Sequence, residues 1–163
     1  MDQGRKKIKV LFVCTGNICR SPMAEALFTH LVKTEGLADQ FYIDSAGTTA
    51  WESGEPVHPG TQRVLQKNQI PLLHGSRARM ITPADLQTFD YIVGMTREHI
   101  SEINRVAKPQ GEVRGLLEYA SLDGSVDVPD PYYTGGFDYV YDLINAGCYG
   151  LLEHIRRREQ KPI

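Results

Sequence analysis

One segment of the chain, residues 13–22, constrains the fold more than any other. A nearly continuous apolar run, residues 8–13, leads into it, and an amphipathic run from residue 22 to about residue 34 follows it. This order predicts a buried strand, a tight loop and a helix. The backbone amides of such a loop converge at the positive end of the helix dipole, so the loop is suited to bind an anion.

Two chemically active side chains stand at the ends of this loop. Cys14 offers a nucleophilic sulfur, and Arg20 offers a planar, permanently charged guanidinium that matches the oxygens of phosphate. Convergent amides and the arginine both favour a thiolate, which predicts an activated nucleophile at Cys14. A buried structural cysteine is the alternative, but it leaves the arginine unexplained. The Gly-x4-Gly-Lys pattern of a nucleotide-binding loop is absent from this segment.

The other residues of the loop fit the same geometry. Gly16 lets the backbone approach an anion closely, and Asn17 tolerates the left-handed conformation that a tight loop needs. Ser21 precedes Pro22, an order typical of a helix N-cap followed by the first helical residue. We therefore expect the helix to begin at Pro22.

Composition narrows the class of protein. A chain of 163 residues is long enough for one domain with a substantial core, so we expect a single domain over residues 1–163. The formal net charge of −2 gives no global signature of nucleic-acid binding. No apolar run approaches the roughly 18 residues of a membrane span, and no signal-peptide pattern is present. Three cysteines predict neither a disulfide framework nor a metal site. A catalytic thiol stays reduced in the cytoplasm, so we expect a cytoplasmic protein.

Elsewhere the hydrophobic pattern alternates between strands and helices. Strands are predicted at residues 41–44, 91–93 and 113–117, with residues 45–54 as a loop. Helices are predicted within residues 56–68, after the N-caps Thr82 and Thr96, and over residues 137–155, where Cys148 falls on the apolar stripe. This order predicts a single-domain α/β fold: a four-stranded parallel sheet flanked by helices on both faces, with the phosphate-binding loop after the first strand. Ligands of such sheets bind at the carboxyl ends of the strands, where Cys14 lies.

A second group of polar residues lies in residues 127–136, which the proline and glycine content marks as a loop. When a thiolate takes the phosphate group from a phenol or an alcohol, another group must supply a proton to the departing oxygen. A carboxylic acid can supply that proton and can later act as a base toward water. Asp127 and Asp130 are the two candidates that this loop offers.

Together these segments resemble the low-molecular-weight protein tyrosine phosphatases. The similarity rests on Cys-x5-Arg-Ser with Gly16, Asn17, Cys19 and Pro22, and on Asp-Pro-Tyr at residues 130–132, and it runs from about residue 8 to about residue 155. It implies a hydrolase without metal or cofactor that acts on phosphotyrosine-containing proteins through a phosphocysteine intermediate on Cys14. The family's general acid and base lies in the Asp-Pro-Tyr sequence, which implies Asp130. Neither nucleic acid nor membrane is implied as a partner, and a monomer is favoured.

The resemblance also assigns residues to the pocket and its support. Substrate binding is implied for Thr15, Gly16, Asn17, Ile18, Cys19, Ser21, Trp51, Tyr132 and Tyr133, and support of the loop for Asn17, Ser21 and Ser45. An aryl phosphate could stack against the aromatic rings, although surface packing would also explain them. Cys19 could trap an oxidised Cys14 as a reversible disulfide.

Two positions bear on how far the resemblance extends. Members that act on phosphoarginine tend to carry threonine where this chain has Ile18, so Ile18 favours phosphotyrosine. Relatives commonly carry a histidine in the network that supports the loop, at the position of Ser76 here, and His74 is one candidate to replace it.

Three other functions are compatible with the fold. An arsenate reductase needs two further redox cysteines in a flexible segment, and residues 76–95 contain none. A phosphoarginine phosphatase is disfavoured by Ile18. A non-catalytic phosphate-binding module would be expected to lose Cys14, Arg20 or Asp130, and all three are present. The sequence therefore favours a phosphotyrosine phosphatase.

Overall fold

The computed structural model describes residues 6–73, 75–120 and 127–159. Strands and helices alternate along these residues. Their order is β1 (Ile8–Cys14), α1 (Arg20–Thr34), β2 (Phe41–Gly47), α2 (Pro59–Lys67), α3 (Pro83–Thr88), β3 (Tyr91–Gly94), α4 (Arg97–Val106), β4 (Glu112–Gly115), α5 (Pro131–Thr134) and α6 (Phe137–Glu159). Two short 3₁₀ turns, Ala38–Gln40 and Leu116–Glu118, precede β2 and follow β4.

The four strands form one parallel sheet in the order β2-β1-β3-β4. The first strand is therefore central, and the carboxyl ends of β1, β2 and β3 meet at one edge. In the register of the sheet, Cys14 pairs with Gly47, and Val13 pairs with both Ala46 and Gly94. The predicted fold, a four-stranded parallel sheet with helices, is confirmed.

Alternate residues of β1 face opposite layers of helices, as the two-residue period of a strand requires. Val10 and Phe12 lie in a large core with apolar residues of α1, α2 and α6. Leu11 and Val13 lie in a smaller core with residues of α3 and α4. Burial on both faces explains why this strand reads as a continuous apolar run.

Helix α1 packs its apolar residues Met23, Leu27 and Leu31 into the larger core. It ends where predicted, because Gly36 adopts a φ of 74° and lets the Leu37 N–H reach the Val32 carbonyl at 2.7 Å. Its beginning differs from the prediction. The helix starts at Arg20, two residues before Pro22, and its N-cap residue has no side-chain capping bond.

Three further boundaries differ from those predicted. Strand β2 continues through Gly47, into the predicted loop 45–54, because its pairing with β1 extends to Cys14. Strand β4 ends at Gly115, and Leu116 and Leu117 lie in the following 3₁₀ turn, buried in the larger core. The predicted loop 127–136 contains the single helical turn α5, which Asp130 caps and Pro131 begins.

The N-caps predicted at Thr82 and Thr96 are confirmed. The Thr82 side chain accepts from the Asp85 N–H, and the Asp85 carboxylate accepts from the Thr82 N–H. The Thr96 side chain accepts from the His99 N–H, and the His99 ring accepts from the Thr96 N–H. The second pair brings a buried histidine next to the carboxyl end of β3.

Cys148 of α6 is buried in the larger core, as predicted. Among the helices of residues 6–73, 75–120 and 127–159, none combines the length and the apolar character that crossing a membrane requires.

Candidate active site

Cys14 is the last residue of β1, and residues 15–19, the Cys14 loop, connect it to α1. The Cys14 Sγ lies 3.0 Å from the Ser21 Oγ. Strand β2 runs close beside the loop: a Cβ at Gly47 would lie 2.6 Å from the Thr15 carbonyl oxygen, so only glycine fits there without displacement. The Thr48 and Thr49 N–H groups donate to the Cys14 and Thr15 carbonyls at 2.9 and 3.1 Å, which fixes the near side of the loop.

Asn17 adopts a φ of 61°, as its predicted role in the loop requires. Its buried side chain links the loop to its surroundings: Nδ2 donates to Ser21 Oγ at 2.8 Å and to Ser45 Oγ at 3.0 Å. Its Oδ1 accepts from the Arg79 N–H at 3.0 Å. Ser21 therefore serves the loop rather than capping α1, because its hydroxyl is engaged by Cys14 and Asn17.

The hydrogen-bond chain continues to Glu25, which the sequence did not predict as part of the site. Ser45 Oγ donates to Glu25 Oε1 at 2.6 Å, and Glu25 is buried inside α1. Burial raises the pKa of Glu25 to about 7, against the Ser45 hydrogen bond, which lowers it. The Arg79 N–H and the Glu25 carboxyl thus bind Asn17 and Ser45 in this network. Relatives were expected to contribute a histidine to it. Ser76 is half-buried nearby in sequence, and His74 lies outside the described residues.

Arg20 is 5% exposed, and its guanidinium reaches from α1 toward residues 127–136, the Asp130 segment. Nη1 donates to the Val128 carbonyl at 2.9 Å, and Nη2 lies 3.4 Å from both Thr15 Oγ1 and Asp130 Oδ2. Nε is buried without a hydrogen-bond partner among the described residues. Because a buried N–H is costly to leave unpaired, this donor is suited to a ligand.

The two candidate acids lie in different surroundings. Asp130 caps α5 by accepting from the Tyr132 N–H at 3.0 Å, and its second oxygen faces Arg20. Asp127 accepts from the Arg97 N–H at 2.9 Å and lies 3.6 Å from the Arg97 guanidinium. The structure brings Asp130, but not Asp127, into contact with Arg20.

Besides Arg20, Thr15 has a second neighbour, His99, that the sequence did not predict. His99 Nε2 lies 2.9 Å from Thr15 Oγ1. Burial lowers the pKa of His99 to about 3, and the charge of Arg20 adds to this effect. No local pattern in the sequence indicates this contact, because 84 positions separate the two residues.

The aromatic residues of the predicted pocket are largely exposed. Trp51 is 79% exposed, Tyr133 is 80% exposed and Tyr132 is 49% exposed. The Tyr132 ring packs against Tyr133 and, with ring centroids 5.7 Å apart, against His58. His58 was not predicted; its N–H donates to the Ile18 carbonyl at 2.8 Å, which ties this aromatic group to the Cys14 loop.

The other two loop positions, Ile18 and Cys19, are mostly buried with Ala78 in a small apolar cluster, against which Phe137 packs. Most of the Ile18 side chain therefore faces protein. Burial, with the nearby Cys14 as a further cause, raises the pKa of Cys19 to about 12, so Cys19 is held as a neutral thiol beside the nucleophile candidate.

Comparisons with known proteins agree with this arrangement. A family model described as low molecular weight phosphotyrosine protein phosphatase matches residues 9–161. The chain belongs to this family. Its members are protein tyrosine phosphatases, which are hydrolases, and the chain is an enzyme of that class.

Individual relatives span nearly the whole chain. The low-molecular-weight protein-tyrosine-phosphatase YfkJ of Bacillus subtilis is 45% identical over 155 residues, 94% of this chain and 99% of the relative. The YfkJ crystal structure superposes with a TM-score of 0.91 at 44% identity, covering 95% of this chain and 98% of that one. A Drosophila arginine phosphatase superposes with a TM-score of 0.85 at 34% identity, covering 91% and 98%.

Proposed function

We propose that this phosphatase hydrolyses phosphotyrosine in protein substrates in two steps, with Cys14 as nucleophile and Asp130 as general acid and base. The observation that carries the proposal is the environment of Arg20. Its guanidinium is buried, has an Nε donor without a partner in the described part of the chain, and contacts both Thr15 and Asp130. A permanent cation with one unpartnered donor, between the loop and a carboxylate, suits a bound phosphate dianion.

Binding would place the phosphate over the Cys14 loop. The amides of residues 15–19 and the Arg20 guanidinium are the groups available to its oxygens. In the same position they stabilise the negative charge that is redistributed over those oxygens in the transition state. The Ser21 hydroxyl, 3.0 Å from Sγ, can donate to a Cys14 thiolate before the attack.

In the first step the Cys14 sulfur attacks phosphorus. The S–P bond forms while the bond between phosphorus and the tyrosyl oxygen breaks, and the proton of Asp130 passes to that oxygen. The products are phosphocysteine, a neutral phenol and the Asp130 carboxylate.

In the second step a water molecule attacks the phosphocysteine. Asp130 takes a proton from the water as the new O–P bond forms, and the S–P bond breaks with its electron pair returning to Cys14. Inorganic phosphate leaves, and Ser21 is again in position to donate to the thiolate. The site returns to its initial state without a redox change.

The rim of the site suits an aromatic substrate. Tyr132, beside His58 and Tyr133, provides ring surface, and Trp51 is exposed on the turn after β2. A phosphotyrosine ring could stack there while its phosphate reaches Cys14. We place the enzyme in the cytoplasm in this proposal, since a thiol nucleophile remains reduced there.

Phosphoarginine is a second candidate substrate because one structural neighbour is a Drosophila arginine phosphatase. The same two steps would then break a P–N bond, with Asp130 protonating the guanidine nitrogen. Ile18 was predicted to disfavour this substrate, but most of its side chain is buried against Ala78 and Phe137. The identity of residue 18 therefore gives little support for either substrate.

One assay separates these functions. Phosphate release is measured from matched peptides carrying phosphotyrosine or phosphoarginine, without added metal or thiol partner, for the parent and for Cys14→Ser. We expect turnover of the phosphotyrosine peptide by the parent, and none by Cys14→Ser. Preference for the phosphoarginine peptide would favour the second candidate. Absence of turnover of both would contradict the proposal and favour a binding module or, if thiol-dependent arsenate reduction appears, a reductase.

A further inference from the structure

We propose that His99 is a positioning residue: its imidazole donates a hydrogen bond to Thr15 and so holds the Thr15 hydroxyl and the Arg20 guanidinium in place for phosphate. The inference rests on the function proposed above. It concerns a residue 84 positions from Thr15 in sequence, on the far side of the β3–α4 turn. Four features of the structure carry it.

The first feature is the tautomer of His99. The Thr96 N–H donates to His99 Nδ1 at 3.1 Å, so Nδ1 must carry a lone pair rather than a proton. The proton of a neutral ring therefore sits on Nε2, which lies 2.9 Å from Thr15 Oγ1. The backbone of Thr96 thus fixes His99 as a donor to Thr15.

The second feature is that the Thr15 hydroxyl oxygen faces two hydrogen-bond donors. A hydroxyl has two lone pairs and one proton. The Thr15 oxygen faces the His99 Nε2–H at 2.9 Å and the Arg20 Nη2 at 3.4 Å, so both lone pairs have donors. Its proton must then point away from both donors, so it can donate to a phosphate bound at the Cys14 loop.

The third feature is the constancy of the His99 charge. The ring is buried, and burial lowers its pKa to about 3, helped by the charge of Arg20 and opposed by Asp127. The imidazole therefore remains a neutral donor at neutral pH, well above this pKa. A residue that does not titrate near neutral pH is suited to holding a geometry and not to moving protons.

The fourth feature is that the turn before His99 also holds the Asp130 segment. The Val128 N–H donates to the Met95 carbonyl at 2.9 Å, and the Val128 carbonyl accepts from Arg20 Nη1 at 2.9 Å. Arg20 is thus held from two sides, by Thr15 and by Val128. Both supports lead back to residues 95–99. A shift of this turn would move the nucleophile loop and the arginine together.

Two substitutions separate the two bonds of the His99 ring. In His99→Asn the amide oxygen can replace Nδ1 and accept from the Thr96 N–H, but no group reaches Thr15. In His99→Gln the amide nitrogen can replace Nε2 and donate to Thr15, but the Thr96 contact is lost. We expect His99→Asn to lower kcat/KM about 5- to 15-fold, the value of one buried hydrogen bond, and His99→Gln to lower it less. Equal losses in the two variants would contradict the proposal.

A double-mutant cycle then tests whether His99 acts through Thr15. Thr15→Val removes the hydroxyl at nearly constant volume, and Thr15→Ser retains it as the matched control. We expect His99→Asn and Thr15→Val both to lower kcat/KM and weaken inhibition by vanadate, Thr15→Val by at least as much because it also removes the contact with Arg20, and the double variant to be no worse than Thr15→Val alone. A double variant whose loss equals the product of the two single losses would show that His99 acts independently of Thr15 and overturn the proposal.

Two controls distinguish a loss at the site from unfolding, and failure of this inference from failure of the proposed function. Urea unfolding of each variant shows whether the fold is intact, so that a loss of kcat/KM in a folded protein is a loss at the site. If the parent itself does not turn over an aryl phosphate, the proposed function has failed. If the parent is active and the cycle is multiplicative, the inference about His99 alone has failed.

Discussion

Asp127 and Asp130 are three positions apart, yet they differ in the residue that holds each of them. Asp127 is occupied by the backbone and side chain of Arg97, whereas Asp130 faces Arg20 from the N-terminus of α5. At the scale of single residues, this difference supports Asp130 as the acid. Sequence alone supplied both candidates but not their contacts.

Replacing the acid should affect substrates in proportion to how much their leaving groups need a proton. p-Nitrophenolate is a stable anion, whereas an unsubstituted phenolate is not. We expect Asp130→Ala to slow phenyl phosphate by about 10²- to 10⁴-fold and p-nitrophenyl phosphate by less. Rates across a series of leaving groups test this, with Asp127→Ala as the matched control. A flat response for Asp130→Ala, or a larger loss for Asp127→Ala, would identify the wrong acid.

Arg20 should not tolerate lysine, because an ammonium keeps the charge but lacks the planar fork of donors that reaches Val128, Thr15 and a phosphate from three nitrogens. We expect Arg20→Lys to lower kcat/KM by about 10²-fold or more and to weaken inhibition by vanadate. Arg105→Lys, on the exposed face of α4, is the control and should match the parent. An Arg20→Lys enzyme with unchanged kcat/KM would remove Arg20 from the proposed mechanism.

At the scale of elements, the start of α1 shows where prediction from local sequence failed. Ser21 before Pro22 is a good capping pattern, and it predicted a helix beginning at Pro22. The helix instead begins at Arg20, and the Ser21 hydroxyl contacts Cys14 and Asn17 instead of capping the helix. A pattern that usually stabilises a helix end serves the loop here, and only tertiary contacts reveal it.

The close approach of β2 to the Cys14 loop leads to a prediction about Gly47. A methyl group there would lie 2.6 Å from the Thr15 carbonyl, so either the strand end or the loop must move. We expect Gly47→Ala to lower kcat/KM about tenfold or more, since small displacements of reacting groups are costly. Ser53→Ala, an exposed change on the next turn, should leave kcat/KM unchanged. Full activity in Gly47→Ala would show that the loop does not depend on this contact.

At the scale of the whole molecule, hydrophobic periodicity predicted the sheet, its helices and the strand edge where Cys14 lies. The alternation of strands and helices carries that information locally along the chain. The contacts of Glu25, His99 and Val128 could not be predicted in this way. Each depends on the distance between elements that are far apart in sequence, as in the 108 positions between Arg20 and Val128.

Buried Glu25 should make the stability of the whole fold depend on pH. Its pKa is about 7 in the folded protein against 4.5 as the reference value, so folding favours the protonated form. Its stabilisation is therefore complete below about pH 4.5 and is lost as the pH rises through about 7. Relative to the parent, Glu25→Gln should gain on the order of 1 to 3 kcal/mol of unfolding free energy between about pH 5 and about pH 8.

Urea unfolding across that pH range measures the effect. In Glu25→Gln the side-chain amide oxygen can still accept from the Ser45 hydroxyl, so the network around Asn17 is preserved. Glu153→Gln, on the exposed surface of α6, is the control and should follow the parent. Parallel stability curves for the parent and Glu25→Gln would show that Glu25 is ionised in the folded protein across the range.

Rapid quench can detect the phosphocysteine that the proposed mechanism places on Cys14. The enzyme is mixed with excess aryl phosphate, quenched in alkali within one turnover, digested at alkaline pH and analysed by mass spectrometry. The peptide containing Cys14 should carry one phosphate, fragmentation should place it on Cys14 rather than Cys19, and Asp130→Ala should accumulate more of it if the second step is slowed more than the first. A burst of product without phosphate on this peptide, or a phosphoenzyme that persists in Cys14→Ser but vanishes in Cys19→Ser, would contradict the account.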